Sequence, residues 1–171
     1  MPRIKDGVFQ ENAIENAFIN RIVAFIKLGA IPKSIEYNYL EFTPIDSTAT
    51  AIVKLMTHPH KSNRVFHLFD HNHIYLTRCF KYFKLLNTNF KILQDDDFAK
   101  LINSTLKDKN KKEILNFLIN DLDKNLHLMY KTDIRIKSEA TIKYLSKIGF
   151  NWPKISDKYM MKFLELLRRV M

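Results

Sequence analysis

The chain has 171 residues, 46% of them hydrophobic, and a formal net charge of +10, enough for one domain with a proper core and little room for two. Its lone cysteine, Cys79, cannot form an intramolecular disulfide, nothing at the N-terminus has the order of a signal peptide, and no apolar run approaches the roughly 20 residues a membrane helix needs. A soluble protein of a reducing, cytoplasmic setting is expected, whose charge either serves an anionic partner or only solvates helix faces.

Ala13, Ile14, Ala17, Phe18, Ile22, Phe25 and Ile26 recur close to the helical repeat and predict an amphipathic helix over Asn12–Leu28, stopped by Gly29 with Pro32 beyond. Ile35–Phe42, rich in Tyr, Leu and Phe, predicts a short strand ending at Pro44. Asp46 or Ser47 is placed to cap a helix carrying Ala49, Ile52, Val53 and Met56 that ends near His58-Pro59. Val65–Phe69, VFHLF, reads as a buried strand, followed by the polar turn Asp70–His73, a helix over Thr77–Leu86 and a short strand at Phe90–Leu93. The acidic triplet Asp95–Asp97 suits the positive end of a helix Phe98–Leu106.

Lys107–Lys112, KDKNKK, is expected to be a solvated linker. A long helix Glu113–Tyr130 should follow, with Ile114, Leu115, Leu118, Ile119, Leu122, Leu126 and Met129 along one face. Thr132–Ile136 predicts a last short strand, Ser138 a cap for a helix Glu139–Ile148 closed by Gly149, and Ser156–Val170 a final helix after Trp152-Pro153. The expected architecture is a mainly helical α/β unit with two to four short strands.

The histidine pairs His58/His60 and His71/His73, with His67 between them, give no metal site, because a two-residue spacing in a loop fixes no coordination geometry. Cys79 is expected to be buried and inert. Asp95–Asp97 lack the alternating ligands and central glycine of a calcium loop. Basic patches at 58–64 and the C-terminus, and Phe80, Tyr82 and Phe83 interleaved with Lys81 and Lys84, suit single-stranded nucleic acid. No helix-turn-helix, zinc-finger or RNA-recognition signature accompanies them. A free-standing basic module that binds nucleic acid is therefore the alternative reading.

Glu41–Leu55, EFTPIDSTATAIVKL, together with VFHLF and the upstream DGVFQENAIENAFINRIVAFIKLGAIPKSI, resembles the C-terminal portion of the thioester reductase domains that end some non-ribosomal peptide synthetases. These are relatives of the extended short-chain dehydrogenases. The resemblance is densest from Pro2 to Ile74 and thins toward Met171, and the family pattern more often carries glycine where Pro2 stands. It implies that residues 1–171 form a single small substrate-binding subdomain, lacking the Rossmann domain. Gly7, Gly29 and Gly149 lie too far apart for a glycine-rich dinucleotide turn. None of the seven tyrosines stands four residues before a lysine, as the family's catalytic signature requires; Tyr159, with Lys162 three residues on, comes nearest.

The isolated chain is accordingly expected to hold no catalytic, cofactor-binding or metal-binding residue and not to be an enzyme. The parent reductase implied by the resemblance binds NADPH and reduces a thioester, held on the phosphopantetheine arm of an acidic carrier protein, to an aldehyde or alcohol. This portion would contact the carrier, the substrate and the missing Rossmann half. The resemblance places Arg3, Asp6 and Phe9 near the cleft between the two halves. It gives Phe18, Ile22 and Phe25 either to the acyl channel or to plain core, and Thr43, Pro44 and Asp46 to a turn that braces the halves, with Asp46 as cap or contact. The Asn72-His73 pair would shape the loop at the substrate mouth.

Overall fold

A computed structural model describes residues 13–40, 42–58, 65–129 and 137–171. Arg3, Asp6 and Phe9, and the strand expected at Thr132–Ile136, lie outside the described residues. The chain divides into two compact units, one of residues 1–10, 40–74 and 133–163, the other of 11–39, 75–132 and 164–171.

The second unit begins with a short 3-10 turn, Ala13–Glu15, and helix α1, Ala17–Leu28. Asn16 caps α1, its side chain accepting the N–H groups of Phe18 and Ile19 at 3.0 and 3.3 Å, which satisfies two of the donors a helix start leaves unpaired. Gly29 ends the helix in the left-handed region at φ 70°, where glycine carries no Cβ penalty. The chain then extends into β1, Ala30–Pro32, which pairs in parallel with β4, Lys91–Leu93, Ala30 opposite Lys91 and Pro32 opposite Leu93. The sequence reading missed β1, whose three residues are too few to show a period. The strand expected over Ile35–Phe42 shrinks to β2, Tyr39–Leu40, after a 3-10 turn at Lys33–Ile35; β2 pairs with β3, Ile74–Tyr75.

Helices α3, Leu76–Phe83, and α4, Asp95–Lys107, complete the regular part of this unit. The three aspartates occupy the first turn of α4, where the helix dipole favours them. Phe98 and Ile102 are buried in the core with Ile22, Phe25 and Ile26 of α1, and the rings of Phe25 and Phe98 meet at 6.3 Å.

The long helix expected over Glu113–Tyr130 does not form. In its place stand 3-10 turns at Lys112–Phe117 and Ile119–Asp121, then a tight reversal in which Leu122 bridges Leu128. Asp123 is the physical reason: its Oδ1 accepts the N–H of Asn125 at 2.8 Å and of His127 at 2.9 Å, a turn that competes with the helical ladder. Those bonds also hold its carboxyl below the usual aspartate range. Asp121 is drawn to Arg21 on α1, whose Nε and terminal nitrogen both lie 2.7 Å from its Oδ2.

The first unit holds α2, Ile45–Thr57, α5, Glu139–Lys147, and the start of α6, Asp157–Val170. Ala51 and Leu55 of α2, Leu145 of α5, and Phe150 and Trp152 after it form one core cluster. Lys54 donates to the carbonyl of Ile148 at 3.2 Å, tying the exposed end of α5 to α2. Val65–Phe69 keeps a strand's alternation without being one. Phe66 and Leu68 pack on the cluster while Val65 is 81% exposed, yet no strand pairs with the segment among the described residues. Its His67 N–H instead donates to Thr141 Oγ1 at 3.1 Å.

Candidate functional site

The expected contact residues of the first unit gather where the turn before α2 meets the polar loop after Phe69. Phe42, at the start of that turn, is buried edge-on against Tyr159 and Phe163 of α6, at 5.8 and 5.1 Å. Thr43 Oγ1 accepts the N–H of Asp70 at 3.2 Å, so the turn and the loop are fastened together. Pro44 takes the cap position of α2, its fixed φ suiting a helix start, and its carbonyl accepts both the N–H and the hydroxyl of Thr48. Asp46 is therefore inside the first helical turn, with Oδ1 accepting the N–H of Ser47 at 2.9 Å, and is not the cap the sequence suggested.

Asp70 is the organising group of the loop. Its Oδ1 accepts both the backbone and the side-chain N–H of Asn72, each at 2.8 Å. The Asn72 amide also reaches the carbonyls of Trp152 and Pro153 at 3.4 and 3.3 Å. Asp70 is only 1% exposed and its Oδ2 has no hydrogen-bond partner among the described residues. Burial raises its carboxyl above the usual aspartate range, against the pull of Asn72 and of His71 and His73. Burial likewise raises the Tyr159 phenol, and the carboxylates of Asp46 and Asp70 push it further up. Thr43, Asp46, Asp70 and Tyr159 thus form one electrostatic neighbourhood, with exposed His73 at the end of the same loop.

The α1 residues occupy the other unit. Ile22 and Phe25 are buried in its core, and Phe18 is half-buried. Sequence reasoning gave Asn72 a loop-shaping role, noted Tyr159 only for its spacing to Lys162, and named Asp70 only as the start of a polar turn. The signal for the loop was present, because Asp-x-Asn after an apolar run is an Asx-turn pattern. Cys79 is fully buried and its thiol is pushed up to about 12, mainly by burial, so it carries no thiolate for nucleophilic chemistry at neutral pH.

A pyrophosphate-binding turn needs glycine at a helix N-terminus, where backbone N–H groups point outward. Gly29 and Gly149 instead sit at the C-terminal ends of α1 and α5, at φ 70° and 76°. Neither of these two glycines among the described residues stands at a helix N-terminus. Nor do the described residues contain a group of three or more His, Cys, Asp or Glu side chains able to hold a metal. No helix among them is long and apolar enough to cross a membrane.

No protein-family model matches the chain, and comparison with curated proteins finds no match. Solved structures do match. A thiolation-reductase di-domain from an archaeal non-ribosomal peptide synthetase is similar over 99% of this chain and 34% of its own, at 26% identity and TM-score 0.77. The terminal R domain from the myxalamid PKS-NRPS pathway matches 100% of this chain and 42% of its own, at 18% identity and TM-score 0.73. The reductase domain of the aureusimine biosynthetic cluster matches 95% and 40%, at 17% and 0.69. The chain thus spans well under half the length of the structures it resembles. It is a mainly helical α/β chain with the fold of a C-terminal subdomain of the terminal reductases of non-ribosomal peptide synthetases.

Proposed function

We propose that this chain is the substrate- and carrier-binding subdomain of an NADPH-dependent thioester reductase that releases a carrier-bound peptidyl thioester as an aldehyde or alcohol. The observation that carries this reading is the similarity of nearly the whole chain to the reductase of a thiolation-reductase di-domain. The net charge of +10 supports an acidic carrier as partner, since complementary charge steers docking. On this reading NADPH would supply the hydride and would be held by a Rossmann half of the same reductase.

A Rossmann half, on this reading, also accounts for an apolar surface. Ile45, Ile52, Val53 and Met56 lie exposed along α2, Met56 at 79%, and Val65–Phe69 keeps a strand's alternation with no partner strand among the described residues. On this reading the Rossmann half covers the first and offers a sheet edge to the second. The work of this chain is then to bind and orient. Thr43 and Asp46 would brace the turn and the Asp70–His73 loop would shape the mouth; in the other unit half-buried Phe18 would offer apolar surface to the acyl chain, with Ile22 and Phe25 supporting it from the core, and Arg3, Asp6 and Phe9 are further substrate-side candidates. Such contacts raise a rate by holding the thioester carbonyl in a productive pose.

A chimera tests the proposal: this chain replaces the matching portion of the archaeal reductase, and NADPH consumption is followed with a thioester-loaded carrier. The chimera should turn over. Phe18→Ala should raise the KM for loaded carrier by about tenfold while leaving NADPH affinity unchanged. A chimera that binds NADPH but reduces no carrier-bound thioester would contradict the assignment.

A further inference from the structure

A cleft of about 610 Å³ opens in the first unit, within the size range of small-molecule sites. One wall is a single face of α5, where Glu139, Lys143, Ser146 and Lys147 follow each other at helical spacing. Across from it stand Lys154 and Asn72, with Trp152 as an apolar surface. The charged residues that line it are three lysines and one glutamate.

None of the three lysines has an ion-pair partner among the described residues. Lys54, by contrast, spends its ammonium on the Ile148 carbonyl. Lys143 and Lys147, one turn apart, repel each other, and only Glu139, one turn before Lys143, offsets that repulsion on this face of α5. With three lysines against the one carboxylate of Glu139, the concave surface is net positive and focuses its field on an anionic ligand. The opposite wall is fixed in advance. Asn72 is held by Asp70 and by the carbonyls of Trp152 and Pro153, and Trp152 packs edge-on to Phe150 at 5.3 Å within the core cluster.

We propose that this cleft binds the phosphate ester of a small organic molecule, with Lys143, Lys147 and Lys154 on the phosphate and Trp152 beside the organic portion. Lysine ammonium groups serve a phosphate as compact point charges from several directions. Two sources share this chemistry, the phosphopantetheine arm of a carrier and a free nucleotide. The first rests on the function proposed above; the phosphate site itself does not.

The test titrates the full chain with 4′-phosphopantetheine, pantetheine and adenosine monophosphate, at about 50 mM and about 300 mM salt. At least one phosphorylated probe should bind about tenfold or more tighter than pantetheine, and more weakly at high salt. The Lys143→Ala/Lys147→Ala double variant should lose about tenfold in that binding at an unchanged melting temperature, while Lys84→Ala/Lys91→Ala, on the other unit, should bind like wild type. Preference for 4′-phosphopantetheine over adenosine monophosphate would support the carrier arm as source; the reverse would support a nucleotide. Equal binding of pantetheine, or no loss in the Lys143/Lys147 variant, would overturn the site even if the carrier protein still binds. A short oligonucleotide that displaces both phosphorylated probes, and is weakened equally by both double variants, would overturn it in favour of a diffuse nucleic-acid surface.

Discussion

Asp70 shows how one buried carboxylate can set a loop. It is almost fully buried, and the hydrogen bonds from Asn72 reach only one of its oxygens. Because its pKa is raised on folding, the folded chain binds that proton more readily than the unfolded chain. Its charge therefore weighs against the fold at neutral pH, and the burden lifts as pH falls through the raised folded value. Asp70→Asn keeps the shape and removes the charge, so it should melt higher than wild type at neutral pH. That advantage should shrink as pH falls toward the ordinary aspartate range; a difference that does not vary with pH would remove the burial argument. Asn72→Ala should act in the opposite direction, since it strips the amide bonds to Asp70, Trp152 and Pro153. A loss of about 1–3 kcal/mol is expected from the unfolding midpoint in urea. The Asx pattern at Asp70–Asn72 could be read in the sequence, but its burial could not, because burial depends on what Thr43 and Trp152 bring to it from 27 and 80 or more residues away.

Helices with a stop signal were readable. Gly29 and Gly149 both close helices at positive φ, of 70° and 76°, and in α1 Ile22, Phe25 and Ile26 are buried as their spacing indicated, whereas Ala17 is exposed. Adding a Cβ at either glycine forces a left-handed L-residue, at about 1–2 kcal/mol. At Gly149 the new atom would meet only Lys54 Nζ, at 3.7 Å. At Gly29 it would meet Asn87 Nδ2 at 3.0 Å, and that nitrogen donates to the Ile26 carbonyl at 2.8 Å at the end of α1. Gly29→Ala should therefore lower the denaturation midpoint more than Gly149→Ala. Equal losses would mean that Asn87 gives way freely. Apolar periodicity failed over Glu113–Tyr130 because local turn chemistry at Asp123 and the pull of Arg21 on Asp121 outweigh it. Val65–Phe69 misled for the opposite reason, since a strand needs a neighbour as well as an alternation.

For the molecule as a whole, its charge and the share of its neighbours' length that it spans bear on the same proposal. On the proposed function, the +10 net charge would meet an acidic carrier and the exposed apolar face of α2 a cofactor-binding half, in a chain that spans 34–42% of the length of its structural neighbours. Nucleic acid would use the same charge, so binding must separate the two readings. The decisive measurement is a titration of the purified chain, at low and high salt, with a phosphopantetheine-loaded carrier protein, with NADPH and with a short oligonucleotide. The account predicts salt-weakened binding of the carrier, tighter than any binding of NADPH. Salt-dependent binding of the oligonucleotide, with no binding of the carrier, would contradict it.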